Sequence, residues 1–288
     1  MAINVIHTEF FREAPAILQE SSAEWIILDF FDLIESCFLY KGQQFILDAF
    51  GCNSPFFRTI SSESTTFNWY EQPDAVVKER MDLFISFLCK RYSGNIILNR
   101  HYRSRYYITL DNQIVPFKGS KSDADRNKQN NFIRKWEQYF INKTCCYNID
   151  IAKNFLGDEY FVWSTSPVHY ENIFFEESIK IIEEIVLNKP VQRKYDHYSY
   201  NTRIDRILRL LPHNRNTYVL NNMFNDYYLD KILLQMDCEI ISKYKNIIEK
   251  IFMCEYDNWI EMLDNFDFEK NNALELKEHI LSCYNILP

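Results

Sequence analysis

Residues 74–99 read DAVVKERMDLFISFLCKRYSGNIILN. Val77, Met81, Phe84, Ile85 and Leu88 fall at helical spacing, and Asp74 stands where a helix start needs a side-chain acceptor. Ser93-Gly94 is a stop, because a helix commonly ends on a residue in the left-handed region. NIILN is a short unbroken apolar run, the pattern of a strand covered on both faces in a parallel sheet. A helix that delivers the chain into such a strand is half of a βαβ unit.

The neighbouring segments repeat the theme. Toward the N-terminus, residues 25–30, WIILDF, predict another strand buried on both faces. Cys37–Tyr40 and Gln44–Leu47 flank Lys41-Gly42 as a hairpin, residues 52–72 are Ser/Thr-rich and read as loop, and residues 4–20 read as an amphipathic helix bent by Pro15. Toward the C-terminus, Tyr106–Leu110 and Gln113–Phe117 flank an Asp111-Asn112 turn. A polar, solvated stretch over 119–131 leads into a helix carrying Phe132, Ile133, Trp136, Tyr139 and Phe140. TCCYNI (144–149) is a third strand, and Phe174–Val186 a further amphipathic helix closed by Pro190. Buried strands alternating with helices predict an α/β fold, a parallel sheet with helices on both faces in three layers. Ligands in such sheets sit beyond the C-terminal strand ends. Those ends carry Asp29 and Asp32, Asn99 to Arg103, and Asp150. Past Pro190 the pattern turns polar (VQRKYDHYSYNTR, 191–203) and then wholly helical, which predicts an α/β domain over 1–190 and a helical region over 191–288.

Composition removes several functions. The chain has 288 residues, 47% hydrophobic and 25% charged, a globular balance. Its five glycines assemble neither GxGxxG nor GxxxxGK[ST], so the usual dinucleotide and P-loop sites are excluded. A net charge of −8 argues against nucleic acid or an anionic membrane surface as main partner. The eight cysteines form no CxxC and read as reduced thiols of a cytoplasmic protein, with no metal or other cofactor expected. The longest apolar stretch, Trp25–Tyr40, is broken by Asp29, Asp32 and Glu35 and cannot span a membrane, and the N-terminus shows no signal-peptide pattern. Oligomeric state is not legible.

Two stretches invite chemistry. His169 follows Ser166-Pro167 on a loop directly before a helix, a place from which an imidazole takes a proton or, alternatively, caps the helix. His101 lies between Arg100 and Tyr102-Arg103, a basic and aromatic strand end suited to phosphate or carboxylate, or simply solvated. Asp29 and Asp32 form a spaced acid pair with no histidine at metal-ligand spacing; loop capping is the plainer reading. Arg203, Arg206, Arg209 and Arg215 concentrate charge either for an anionic ligand or, as the pattern favours, on the solvated face of an amphipathic helix.

WIILDFFD, NIILNRHYRSRYY, the helix with Trp136, and GDEYFVWSTSPVHYENIFF together resemble the DUF6270 group of SGNH-hydrolase-like bacterial proteins, often associated with surface-polysaccharide biosynthesis. SPVHY is the most specific element, and the resemblance covers about residues 1–188. It implies a flavodoxin-like three-layer fold and ester hydrolysis or acyl transfer on a carbohydrate or acylated sugar. It implies His169 as the catalytic base, with Asn99, His101, Arg103, Asp29, Asp32, Trp163, Ser166 and Tyr170 around the substrate. The pattern departs in one respect: no Gly-Ser-type turn carrying a nucleophile precedes WIILDF. The expectation is therefore either an esterase or acyltransferase whose serine lies outside this chain or is lost, or a non-catalytic binding or accessory protein on a degenerate hydrolase scaffold. The missing block also predicts an exposed sheet edge near WIILDF.

Overall fold

Among the described residues, short apolar runs and tight turns give ten strands: β1 (Ile26–Leu28), β2 (Ser36–Tyr40), β3 (Gln43–Ile46), β4 (Thr65–Asn68), β5 (Ile96–Asn99), β6 (Tyr106–Ile108), β7 (Ile114–Pro116), β8 (Tyr147–Ile149), β9 (Gly157–Asp158) and β10 (Lys194–Tyr195). The computed structural model describes residues 14–34, 36–46, 55–118, 123–161, 165–215 and 217–284. They fall into two compact units, one from the segments up to Arg103, Gly119–Asp150 and Lys180–Tyr195, the other from Ser104–Lys118, Ile151–Ile179 and Asp196 onward. The units interleave along the chain, with Ser104–Lys118 and Ile151–Ile179 grouped with the segment from Asp196 onward rather than with the rest of 1–190.

The first unit holds an α/β core. Its parallel sheet runs β1-β5-β8-β10, in register Ile26↔Ile96, Ile97↔Tyr147 and Asn148↔Lys194. The helices Asp74–Tyr92 and Asp123–Thr144 make the first two crossovers. Ile96 and Leu98, alternate residues of β5, share one face and pack with Met81, Leu88, Ile133, Trp136, Phe140 and Phe30. Among the described strands the order follows the chain without reversal.

Four expectations change. WIILDF is not covered on both faces: the strand is three residues long and Ile27 is 51% exposed, because β1 is one end of the described sheet. β10 is a fourth parallel strand inside the polar stretch 191–203; two residues are too few for any periodicity, but Asn148 N–H donates to Arg193 O (2.8 Å) and Asp150 N–H to Tyr195 O (2.7 Å). Residues 52–72 are not loop throughout. They contain a helix, Pro55–Ile60, and β4, which pairs with β2 beside the expected β2–β3 hairpin. The hairpin's turn has φ +47° at Lys41 and +78° at Gly42, the two left-handed residues of a tight primed turn. Residues 123–131 are not a solvated lead-in: the helix begins at Asp123, and Arg126, Gln129 and Asn130 are buried.

The second unit holds the sheet β7-β6-β9 and seven helices between Tyr200 and Tyr284 among its described residues. Its core gathers Leu210, Leu211, Phe224, Leu233, Ile248 and Leu276. Here the arginines of helix Tyr200–Asn214 depart from a solvated face. Arg203 and Arg206 point inward, bridged to Asp230 and Glu171, with their guanidinium groups over Tyr227 (4.8 Å) and Phe155 (4.4 Å). Among the described residues no helix is long and apolar enough to cross a membrane, and the cysteines are free.

Candidate site at the strand ends of the first unit

Where β5 ends, the chain turns a run of polar residues toward helix Asp123–Thr144. Arg100 donates from Nε to Glu137 Oε2 (2.8 Å) and from Nη1 to Asp150 Oδ2 (3.0 Å), Asp150 being the first residue past β8. Arg134 Nη1 bridges Asp150 and lies 3.5 Å from Glu137 Oε2. Two cations against two acids satisfy one another, which burial at this depth requires. Burial pushes the fully buried Glu137 carboxyl upward, while Arg134 and Arg100 pull it back toward the charged form. The second Glu137 oxygen accepts the backbone N–H of His101 (3.1 Å), so the network fixes the peptide that carries the imidazole. Two residues on, the Asn130 side chain clamps Arg103 through both backbone groups, accepting its N–H (2.8 Å) and donating to its carbonyl (3.1 Å).

The imidazole of His101 has Nε2 3.6 Å from Asp29 Oδ2, an ion-pair rather than a hydrogen-bond separation. Phe31 flanks it at 5.7 Å and in turn lies 5.1 Å beneath the Arg103 guanidinium. Burial lowers the His101 pKa, Asp29 raises it and Arg134 lowers it again; the net direction is down, so the ring is neutral at neutral pH. Nearby strand-end groups remain unsatisfied. Asn99 Oδ1 and Arg134 Nη2 are buried without a hydrogen-bond partner among the described residues, the condition a polar ligand relieves.

Asp29 also forms part of a cavity of about 280 Å³. Phe30, Leu33, Trp69, Val77, Met81 and Phe84 make it apolar, and Asp29, Asp32 and Arg80 are its polar groups. Asp29 thus belongs both to the cavity wall and to the surroundings of the His101 imidazole. Its Oδ1 accepts the Phe31 N–H (3.0 Å), which holds the carboxylate at the start of the 3-10 turn Phe31–Ile34.

The structure places the strand-end residues Asp29, Asp32, Asn99, His101 and Arg103 in the first unit, and Ser166, His169 and Tyr170 in the second. Trp163 lies outside the described residues. His169 is half-buried, its ring stacked on Phe161 at 4.4 Å, its N–H donating to Ser166 O (3.1 Å) and its carbonyl accepting from Asp158 (2.9 Å). Tyr170 is fully buried and packs on Phe174 at 4.5 Å. Gly157 bridges Tyr170, and a Cβ there would meet Phe117 Cζ at 2.6 Å and Ser166 O at 3.0 Å. Gly157→Ala is therefore expected to displace the Ser166–Tyr170 turn and cost about 1–3 kcal/mol in a urea melt; an unchanged midpoint would mean that the turn yields freely.

Sequence reading marked Asp29, Asn99, His101, Arg103 and Asp150 but missed Glu137 and Arg134. Glu137 carries a signal nonetheless. It stands on the buried stripe Ile133, Trp136, Phe140, where an acid is tolerated only with a partner. No family model matches the chain, and neither a curated protein nor a solved structure matches it.

Proposed function

We propose that the first unit is an acyl-ester site, hydrolysing or transferring the acyl group of an acylated carbohydrate, on a three-layer scaffold of the flavodoxin-like kind. The apolar cavity takes the acyl chain, and the ester lies beside His101. One observation carries the reading: the acid beside His101, Asp29, is also a wall of the cavity. The His101 imidazole takes a proton from water or from a sugar hydroxyl as the oxygen attacks the acyl carbon. The imidazolium then returns the proton to the departing alkoxide, and the acyl carbon–oxygen bond breaks. A base must be neutral before it acts, and burial supplies this for His101. The resemblance assigns the base to His169 instead, so the two histidines are the natural comparison.

The test is hydrolysis of a p-nitrophenyl ester series from acetate to octanoate. Saturable turnover is expected, with a preference for medium chains that Met81→Trp shortens by filling the cavity and that His169→Ala leaves in place. Turnover lost in His169→Ala and kept in His101→Ala would return the role to His169. Saturable ester binding without turnover would identify the non-catalytic acyl-sugar-binding module.

A further inference from the structure

Helix Lys245–Met253 ends in the second unit beside the N-terminus of helix Tyr200–Asn214. There the ring of Tyr200 stacks on Phe252 (5.0 Å, 11°), and Tyr227 stands edge-on to both, at 5.6 Å and 5.4 Å. These rings, with Tyr228 and Tyr256, line a cleft of about 400 Å³, within the range that holds a small ligand. Its charged residues are three acids, Asp226, Glu255 and Asp257, and the imidazole of His197, which sits 3.4 Å from Asp196; no lysine or arginine lines it. Asp226 is ion-paired with Arg203 Nη1 (3.8 Å), whose Nε and Nη2 serve Asp230, so the carboxylates left for a ligand are those of Glu255 and Asp257. Glu255 and Asp257 are exposed, with no basic partner among the described residues. Electron-rich ring faces and uncompensated carboxylates around one concavity are the chemistry that recognises an organic cation.

We propose that this aromatic and acidic cleft is a binding site for a small organic cation, a quaternary ammonium or protonated alkylamine. The proposal is independent of the acyl-ester reading, which concerns the other unit. Glu255 adds a feature of its own. It follows the helix in the left-handed region at φ +49°, where glycine is the favoured residue.

Tyrosine fluorescence of the full chain titrated with choline chloride at constant ionic strength tests the proposal, with glucose as neutral control. Saturation with Kd of about 1 mM or tighter is expected for choline, and none for glucose over the same range. Glu255→Gly is expected to raise Tm by relieving the backbone and to weaken choline about fivefold, two effects a merely structural role would not separate. Tyr256→Leu weakens choline similarly, whereas Tyr256→Phe, which keeps the ring face, does not. Absence of choline saturation, equal binding of glucose, or unaltered affinity in Glu255→Gly would overturn the proposal.

Discussion

Replacing Glu171 with leucine is expected to destabilise the second unit by about 3–5 kcal/mol, a large part of the ~5–15 kcal/mol that holds a domain together. Glu171 is fully buried and is a shared acceptor: Arg206 approaches it through Nε (3.2 Å) and Nη2, Arg209 through Nη2, and the Leu156 backbone N–H at 3.2 Å. Arg206 is itself only 3% exposed and lies between Phe155, Tyr198 and Phe224. Leucine matches the volume of the lost side chain and leaves the Arg206 guanidinium without a counter-charge, its remaining hydrogen bond being to the Tyr198 hydroxyl at 2.7 Å. An uncompensated buried cation, not the lost pair as such, sets the cost. The double change Glu171→Leu with Arg206→Met is therefore expected to recover most of the loss. Thermal unfolding followed by circular dichroism is expected to show a single-variant drop of about 10 °C. Arg209→Ala, at a half-exposed position, should cost under ~1 kcal/mol. A Glu171→Leu protein with native Tm would mean that the carboxylate is hydrated and the arginines are held by their aromatic neighbours alone.

The second large effect is kinetic. His101→Ala is expected to lower kcat for ester hydrolysis by ~10²–10⁴-fold, the usual worth of a positioned base, while KM changes little because the acyl cavity is intact. Asp29→Asn, which keeps the shape and removes the charge, is expected to cost about tenfold, since it weakens the orientation of the ring without deleting it. Glu137→Gln acts one step further away. It retains an acceptor for the His101 N–H but upsets the balance of two cations and two acids, so the main loss is expected in stability rather than in kcat.

Much of the first unit was legible because its signals are local. The helix Asp74–Tyr92 and its stop, with Ser93 at φ +40°, the strands NIIL and YNI, and the Lys41-Gly42 turn each depend on residues within a few positions of one another. The strand-end residues followed from topology, since a parallel sheet exposes the same end of every strand. β10 and β4 were not legible: a two-residue strand has no period, and β4 exists because β2 offers it a ladder. Arg203 and Arg206 were misread for a related reason. Periodicity reports which residues are charged, and only tertiary structure shows that Asp230 and Glu171 wait on the inner face. Glu137 escaped notice in the same way, although its place on an apolar stripe was visible. The His169 loop was singled out as the seat of a base or of a helix cap, and its tie to the strand-end residues came from the resemblance rather than from any spacing.

The most direct measurement of the central claim is the pH dependence of kcat/KM for ester hydrolysis in the native chain and in Asp29→Asn. The account predicts an acid limb governed by an imidazole whose pKa lies below its ordinary value. Because the Asp29 charge is what raises that pKa, the limb should move to still lower pH when the charge is removed. A limb that stays in place in Asp29→Asn, or that survives in His101→Ala, would contradict it.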